Sequence, residues 1–376
     1  MRRIPVTYAK PGMINARSIY NSEGKVILAT GTAINEFYIN LLIELGIRSL
    51  YIRDEITGDL FIPDIVSEKT RVDTIKVIRQ TFAQLQSARR INFLPIKTAV
   101  EKILDEVLAH SNTLVHLVDI RTKEDYLFAH SVNVCILSLM TGISLAYNTL
   151  QLKELGIGAL LHDIGNTRIP NELLLKQASL TKLEFNLIQK HTDQGLDILG
   201  QYPEISPLSA QIAFQHHERN DGTGYPNGLN GNDIHNYARI VAITDVYDAL
   251  LADRFYRPPF PPFDAMRKII RGAYTLFDPR TVAAFIENIA MYPVGSVVKL
   301  NNGDVGIVVD VNKQSQHRPI IRILMNDQGE KISEDKELDL DKLSNLFIVE
   351  GFNEEFSYSI LRDIKKGKPI KLKNNN

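Results

Sequence analysis

The pattern of apolar and polar positions divides the 376-residue chain into a short mixed region, a long helical region and a short β-rich region. Near the start, "GKVILATGT" predicts a strand closed by a glycine turn, residues 35–45 predict a helix that Gly46 ends, and "IRSLYI" predicts a second strand. Catalytic residue types do not cluster in this part of the sequence. We therefore predict a small α/β domain with a regulatory or sensory role over residues 1–66.

A connecting helix is predicted to follow over residues 67–95. Four apolar residues keep a/d spacing until Pro95 interrupts the pattern, namely Ile75, Ile78, Phe82 and Leu85. Because this seam is shorter than two heptads, it favours a helix packed against its own chain. A homodimer formed through the seam stays open as the alternative.

The next region, residues 96–291, has a helical pattern almost throughout and holds most of the histidines, so we predict that it is the chemical domain. Beyond it, "GSVVKLNNGDVGIVVDV" and "RPIIRILMND" are β-branched runs around an Asn-Gly hairpin signal, which predicts a small β-module over residues 292–350. Residues 351–376 are predicted to form a polar tail. The predicted fold class is mainly α, a helical bundle with a small mixed α/β domain at the N-terminus and a small β-module at the C-terminus.

Charge and cysteine content limit the class of protein. The 43 basic and 44 acidic side chains nearly cancel, so we expect no bulk attraction to DNA, RNA or an anionic membrane. The single cysteine, Cys135, excludes an internal disulfide framework and indicates a reducing compartment, which predicts a cytoplasmic protein. The longest apolar stretch, residues 132–147, has polar interruptions and falls short of the roughly 20 residues that a membrane-spanning helix needs. We therefore expect no membrane span.

Histidines and acids recur on the apolar faces of the predicted helices. On one helix, His130 shares a face with Val134 and Leu137. An inward position is also predicted for His162, Asp163, His191, His216, His217, Asp245 and Asp248. Burying a carboxylate without a partner costs several kcal/mol, and burying an imidazole without one costs roughly 1–3 kcal/mol. A shared metal site would remove these costs together.

The residue types in this set favour a dinuclear metal centre. Imidazoles and carboxylates suit iron, manganese or zinc, and their number exceeds the needs of one mononuclear site. The alternative, in which these groups only hydrogen-bond one another, stays open. The other histidines fall outside the pattern and are predicted to be surface or structural residues: His110, His116, His235 and His317.

Five motifs in residues 96–291 resemble, in order and spacing, the HD-GYP branch of the HD phosphohydrolases. They are "HDIGN", "HTDQG", "HHERNDGTGYP", "NGLNG" and "RIVAITDVYDALLADRFYR". The resemblance implies an HD-type helical bundle that hydrolyses the bacterial second messenger cyclic di-GMP at a bimetal centre. Its metals would be two divalent ions, and iron or manganese is expected.

The resemblance also implies a ligand set. One ion would be held by His130, His162, Asp163 and Asp245. The second would be held by Asp163, His191, His216 and His217, with Asp163 bridging. Some family members add a third ion through a glutamate one turn before the first histidine, but Tyr126 occupies that position here, so we predict two ions. Asp248 is expected to accept a hydrogen bond from a metal-bound imidazole.

Substrate contacts are implied by the same motifs. The glycines of the "DGTGYP" loop, Gly222 and Gly224, would bring the backbone close to the ligand, while Tyr225 and Pro226 face it. Arg254 and Arg257 would bind phosphate oxygens. The family usually has a lysine near the substrate phosphate where this chain has Asn166.

The expected reaction needs no serine or cysteine nucleophile. Two metal ions can generate a bridging hydroxide and clamp a phosphodiester for in-line attack. We therefore expect an enzyme that hydrolyses cyclic di-GMP to pGpG, to GMP or to both, with Asp163 and Asn166 as catalytic residues. Because Asn166 replaces the lysine, a catalytically weak or inactive cyclic di-GMP receptor is the alternative, and Arg168 is a candidate to compensate.

Overall fold

The computed structural model describes residues 1–21, 23–53, 60, 62, 64–87, 90–110, 113–115, 126–174, 176, 178–252, 259–332 and 336–365. The sequence predictions for Arg254, Arg257 and His116 lie outside these described residues. The mainly helical fold class is confirmed, with small sheets near both ends of the chain.

A small α/β module occupies the N-terminal region. Its elements are β1 (Arg2–Pro5), β2 (Ile14–Asn15), β3 (Ile19–Tyr20), β4 (Val26–Leu28), α1 (Glu36–Glu44) and β5 (Ser49–Arg53). Strands β1, β5 and β2 form an antiparallel sheet in that order, and β3 pairs with β4. Asn35 caps α1 by accepting the backbone N–H of Tyr38 at 3.0 Å. Leu42 and Leu50 are fully buried in the core of this module.

The connecting helix α2 (Glu68–Gln86) packs into the core of the helical domain. Ile78 is fully buried there, and the other three residues of the predicted seam are partly buried against the same core. The helix ends earlier than its sequence pattern predicts. Pro95 does not interrupt it but lies in the first turn of the following helix, where the missing N–H of a proline costs nothing.

The helical domain surrounds one large apolar core. Its α-helices are α3 (Leu94–Ala109), α4 (Tyr126–Ser144), α5 (Thr149–Leu160), α6 (Asn171–Leu174), α7 (Lys182–Gln189), α8 (His191–Gly200), α9 (Pro207–Gln215), α10 (Asn236–Leu251), α11 (Pro262–Arg271) and α12 (Pro279–Ile286). In the described part of the chain, α4 alone is long and apolar enough to cross a bilayer, and 78% of its apolar window is buried inside the protein. It is the central core helix of this domain.

A β-module follows, as the β-branched runs predict. Its strands are β6 (Val297–Leu300), β7 (Val305–Asp310), β8 (Ile320–Met325), β9 (Glu337–Asp339) and β10 (Ile348–Gly351). They form an antiparallel sheet in the order β10-β6-β7-β8-β9. The Asn-Gly signal lies in the turn between β6 and β7, where Gly303 has a φ of +94° that favours glycine.

The region predicted as a polar tail contains a helix, α13 (Glu354–Lys365). It buries Tyr358, Leu361 and Ile364 at helical spacing, so its apolar face is covered although its composition is polar. The Tyr358 ring stacks on Tyr8 with 4.7 Å between ring centroids, and Glu354 forms a 2.6 Å ion pair with Arg3. The C-terminal helix therefore packs on the N-terminal module through Tyr358 and on the β-module through Leu361 and Ile364.

Candidate metal centre

Seven imidazole and carboxylate side chains from five segments of the helical domain lie around one centre. They are His130 on α4, His162 and Asp163 directly after α5, His191 at the start of α8, His216 and His217 after α9, and Asp245 on α10. These are the residues that the sequence predicts as ligands, and the structure brings all seven together. Their binding of metal stays a prediction.

Glycine allows two of these segments to approach closely. Asp163 precedes a short 3-10 helix (Ile164–Arg168) that packs against α8. A Cβ atom at Gly165 would overlap the backbone carbonyl of His191. Only glycine therefore fits at this position, and the contact holds Asp163 beside His191.

The Asp163 carboxylate lies between three of the histidines. Its Oδ2 is 3.4 Å from Nε2 of His162, while its Oδ1 is 3.6 Å from Nε2 of His191 and 3.9 Å from Nε2 of His216. This central position is the one that a bridging ligand would need.

The Asp245 carboxylate faces the other histidines of the cluster. Its Oδ1 is 3.1 Å from Nε2 of His130, and its Oδ2 is 3.9 Å from Nδ1 of His217. Potential ligand atoms within 4.8 Å of one another form overlapping groups: His130, His162 and Asp245; His162, Asp163 and His216; His191, His216 and His217. Such groups could hold more than one ion.

Three of the imidazoles are oriented by backbone carbonyls. Nδ1 of His162 lies 2.8 Å from the carbonyl oxygen of Ala159. Nδ1 of His191 lies 2.7 Å from that of Ile188, and Nδ1 of His216 lies 3.0 Å from that of Ala213. Because a carbonyl only accepts, Nδ1 carries the proton and the Nε2 lone pair faces the centre.

The Nε2 atom of His162 provides a test of whether the residues fit a metal ion. It is buried and has no hydrogen-bond partner among the described residues. Buried polar atoms rarely lack a hydrogen-bond partner. A nitrogen lone pair that faces a cluster of imidazoles and carboxylates is the arrangement that a divalent cation requires. The donor set therefore fits such an ion.

Electrostatics within the cluster separate anionic from neutral ligands. Burial disfavours the charge on Asp163, but the surrounding histidines outweigh burial and hold the pKa of this carboxyl well below its usual range. Burial likewise opposes ionisation of Asp245, yet the hydrogen bond to His130 and the nearby histidines lower its pKa. Burial lowers the pKa of His217 to about 3, and burial together with the neighbouring histidines lowers that of His216 well below its usual range. Two carboxylates and two neutral imidazoles are thus available as ligands at neutral pH.

Asp248 holds the far side of the His130 ring. Its Oδ2 lies 2.7 Å from Nδ1 of His130, and its Oδ1 accepts a 2.8 Å hydrogen bond from Nδ2 of Asn133. Burial opposes protonation of His130, but the two aspartates outweigh burial and raise its pKa well above the usual range. The contact with Asp248 is the one expected for a carboxylate that supports a metal ligand. Sequence reasoning did not identify Asn133, because its role depends on which residues lie opposite it.

The "DGTGYP" loop closes one side of the centre. Gly222 has a φ of +78°, and a Cβ atom at Gly224 would overlap the backbone nitrogen of Arg219. The backbone N–H of Tyr225 donates to the carbonyl of His217 at 3.2 Å, and the centroids of their rings are 4.7 Å apart. Pro226 follows through a cis peptide bond. The glycines thus allow the loop to fold back tightly onto the ligand pair.

Glu218, which directly follows the two histidines, fixes the far end of this loop. Only 1% of its surface is exposed, and its two carboxylate oxygens accept the backbone N–H groups of Asn227 at 2.8 Å and of Leu229 at 2.9 Å. Sequence reasoning did not select this residue. The motif "HHERNDGTGYP" contains this acid, but only the folded loop shows that it accepts hydrogen bonds from backbone N–H groups.

Asn166 is half-buried on the 3-10 helix that begins after Asp163. Its backbone N–H donates to the backbone carbonyl of Asp163 at 2.9 Å, so the two residues lie one 3-10 turn apart. Arg168, on the same 3-10 helix, is exposed. Of the histidines predicted to be surface or structural, His110 and His317 are exposed, and His235 caps α10.

Comparisons with known proteins agree with this architecture. Residues 102–281 match the family model described as HD domain, and residues 297–357 match the one described as KOW domain associated with HD domain. A Pseudomonas aeruginosa protein named as a cyclic di-GMP phosphodiesterase is 32% identical over 271 residues, which are 72% of this chain and 65% of that protein. A Thermotoga maritima protein of the same name is 36% identical over 210 residues, 54% of this chain and 56% of that protein.

A solved structure shares the fold. It is an HDG"Y"P protein from Bdellovibrio bacteriovorus, which superposes with a TM-score of 0.51 over 75% of this chain and 97% of that chain at 20% identity. The chain spans less than two thirds of the length of the two curated relatives. With the helical fold, the histidine and aspartate cluster and these matches together, residues 102–281 of this chain belong to the HD domain family.

Proposed function

We propose that this protein is a metal-dependent phosphodiesterase that hydrolyses cyclic di-GMP to pGpG, and further to GMP where the linear product rebinds. The observation that carries the proposal is the convergence of seven imidazole and carboxylate ligand candidates on one centre, with Nε2 of His162 buried and unsatisfied among the described residues. The names of the two curated relatives support the choice of substrate.

The ligand candidates divide between two ions. One would be held by His130, His162, Asp163 and Asp245, and the other by Asp163, His191, His216 and His217. When bound, two divalent cations supply an activated water and neutralise charge that develops on the phosphoryl oxygens. Iron and manganese both suit this mixed nitrogen and oxygen donor set.

The chain's own residues would bind and orient the dinucleotide. Tyr225, beside His217, places an aromatic face at the edge of the centre, and Phe185 lies edge-on to it with 6.1 Å between ring centroids. A guanine base would pack against such a surface. We propose that the amide of Asn166 donates to a substrate phosphate, which is a weaker contact than a lysine would make. Arg254 and Arg257 would bind the phosphates through their guanidinium groups.

We place the protein in the cytoplasm. Its single cysteine, Cys135, is fully buried in α4, and no pair of thiols is available for a disulfide. A cyclic dinucleotide signal would be met in the same compartment.

The test is a product assay on protein purified without oxygen and supplied with Mn²⁺ or Fe²⁺. We expect conversion of cyclic di-GMP to pGpG, with cyclic di-AMP as the comparison substrate. His162→Ala should lower turnover by at least about 100-fold, because loss of a ligand disables metal chemistry. His317→Ala, an exposed histidine in the β-module, is the matched control and should retain activity. Tight binding of cyclic di-GMP by metal-loaded wild-type protein without any product would contradict the enzyme and favour a receptor.

A further inference from the structure

A continuous series of buried hydrogen bonds connects helix α2 to the metal-ligand candidate His130. Arg71, in the first turns of α2, is 9% exposed and donates from Nη1 to Oδ1 of Asn133 at 2.7 Å. Nδ2 of Asn133 donates to Oδ1 of Asp248 at 2.8 Å. The other oxygen of Asp248 lies 2.7 Å from Nδ1 of His130. The series therefore runs from α2 through α4 to α10 and back to α4.

The chemistry of the groups allows only one direction for this series. A guanidinium can only donate hydrogen bonds, and an ionised carboxylate can only accept them. The amide of Asn133 lies between the two, so its oxygen must face Arg71 and its NH₂ group must face Asp248. The reversed amide would place two donors together at one end and two acceptors at the other. Arg71 thus determines the orientation of the Asn133 side chain.

The Asn133 amide in turn fixes the Asp248 carboxylate. One carboxylate oxygen is held by Asn133 and the other by His130, and Asp248 is almost fully buried. Rotation of the carboxylate would break both contacts. Because Asp248 receives the Nδ1 proton of His130, the opposite ring nitrogen points towards Asp245 and the centre. The position of Nε2 therefore depends on the whole series.

We propose that Arg71 is a positioning residue of the metal centre, acting through Asn133 and Asp248 on His130. The inference rests on the proposed function only in assuming that His130 binds a metal ion. Arg71 precedes residues 102–281, the part of the chain that matches the HD domain model. Helix α2 is therefore part of the functional unit of the centre and not only a connection to the N-terminal module.

The experiment measures the dissociation constant of Mn²⁺ for metal-free protein by electron paramagnetic resonance of the free ion. Replacing groups that support metal ligands typically weakens metal binding 10- to 100-fold, and for the more distant Arg71 we expect Arg71→Met to weaken it about tenfold. The matched control is Ile78→Ala, which removes a fully buried α2 side chain from the core without touching the hydrogen-bonded series. It should lower thermal stability and leave the Mn²⁺ affinity of the folded protein unchanged. Equal Mn²⁺ affinities for wild-type protein and Arg71→Met would overturn the inference.

A double substitution tests whether Arg71 acts on the metal centre through Asn133. If Arg71 acts through Asn133, then Arg71→Met combined with Asn133→Leu should bind Mn²⁺ no more weakly than Asn133→Leu alone. Additive losses would show that Arg71 acts elsewhere. Should Arg71→Met not yield folded protein, Arg71→Gln replaces it, because a glutamine amide both donates and accepts and so no longer fixes the orientation of the Asn133 amide. Unchanged Mn²⁺ affinity in that variant would refute the proposal.

The metal centre and the positioning role of Arg71 are refuted by different results. Wild-type protein that binds no Mn²⁺ would refute the metal centre and the positioning role together. Wild-type protein that binds Mn²⁺ with an affinity that Arg71→Met leaves intact would refute the positioning role alone.

Discussion

The carboxylate of Glu218 accepts the backbone N–H of Leu229 at 2.9 Å and so joins the two ends of the loop that carries Tyr225. The second oxygen of the same carboxylate accepts the N–H of Asn227 at 2.8 Å. A buried carboxylate that accepts two backbone N–H groups holds both in a fixed geometry. The position of the loop relative to His217 therefore depends on an acid that is not itself a metal-ligand candidate.

We expect Glu218→Gln to disturb this loop. A glutamine has one acceptor oxygen, so its NH₂ group would face a backbone N–H, and an unsatisfied buried donor costs about 1–3 kcal/mol. The expected result is a higher KM for cyclic di-GMP with a smaller change in kcat, measured by product formation at saturating Mn²⁺. Asp233→Asn is the control, because it removes the same charge from an exposed position nearby. An unchanged KM in Glu218→Gln would show that the loop does not need this carboxylate.

Gly224 is predicted to tolerate no side chain. A Cβ atom there would overlap the backbone of Glu218 and Arg219, which cannot move aside as a flexible side chain could. We expect Gly224→Ala to lower the free energy of unfolding by about 3 kcal/mol, the upper end of ordinary single substitutions. Gly200→Ala is the matched control, since a Cβ at that position meets nothing within 4 Å. Equal melting temperatures for the two variants would contradict this account.

The ligand candidates could be predicted from the sequence because short motifs carry them. "HDIGN" and "HHERNDGTGYP" place histidines next to acids and glycines, and that combination is informative before any fold is known. Asn133 and Arg71 could not be found in this way. They are 62 residues apart in the chain, and their hydrogen bond exists only because α2 packs beside α4. Sequence motifs therefore identify the side chains that face the metal centre. They do not identify the residues, such as Asn133 and Arg71, that orient those side chains.

The elements of the fold also divide into those that the local sequence determines and those that depend on tertiary contacts. The helical region, the Asn-Gly turn at Gly303 and the capped helix α1 were predictable from local pattern, because local residues determine each of them. The helix at residues 354–365 was not, since its sequence is mainly polar. Its stability depends on burying Tyr358 against the N-terminal module and Leu361 and Ile364 against the β-module. Tertiary contact outweighs composition there.

Asn166 is expected to limit the rate. A hydrogen bond from a charged donor to phosphate is worth about 1.5–3 kcal/mol, and a neutral amide supplies less. Asn166→Lys should therefore raise kcat/KM for cyclic di-GMP, by about tenfold for each 1.4 kcal/mol gained. Asn166→Gln, which changes length without adding charge, is the control. No increase in Asn166→Lys would show that the residue at this position does not limit turnover.

Metal removal is expected to lower thermal stability. The ligand candidates come from five segments that only the folded chain brings together, so a bound ion stabilises the folded state selectively. At a free Mn²⁺ concentration 100 times the dissociation constant, the stabilisation is about 2.7 kcal/mol. The melting temperature should fall on chelation and recover with Mn²⁺. In His191→Ala the Mn²⁺-dependent part of this shift should shrink, whereas His317→Ala should behave as wild type. A melting temperature that does not respond to Mn²⁺ would contradict a metal centre in the wild-type protein.

Glu106 on α3 is expected to make stability depend on pH. Its carboxylate accepts hydrogen bonds from the backbone and hydroxyl of Ser67 and from the hydroxyl of Thr70, at the start of α2. Partial burial raises its pKa, but these hydrogen bonds outweigh burial and lower the pKa below the ordinary value of about 4.5. Because the pKa of Glu106 is lower in the folded protein than in the unfolded chain, the ionised carboxylate stabilises the fold fully at pH values above about 4.5. That contribution is lost as the pH falls through the folded pKa.

Glu106→Gln should therefore be less stable than wild type at pH 7, and the difference should shrink as the pH falls below about 4.5. Urea denaturation of metal-free protein between pH 7 and pH 3.5 measures it, with chelator present so that the metal centre contributes equally to both proteins. Glu101→Gln is the control, because this acid forms an exposed ion pair with Lys153, and such pairs contribute about 0–1 kcal/mol. A stability difference between wild type and Glu106→Gln that stays constant over this range would mean that the carboxylate does not clamp the start of α2.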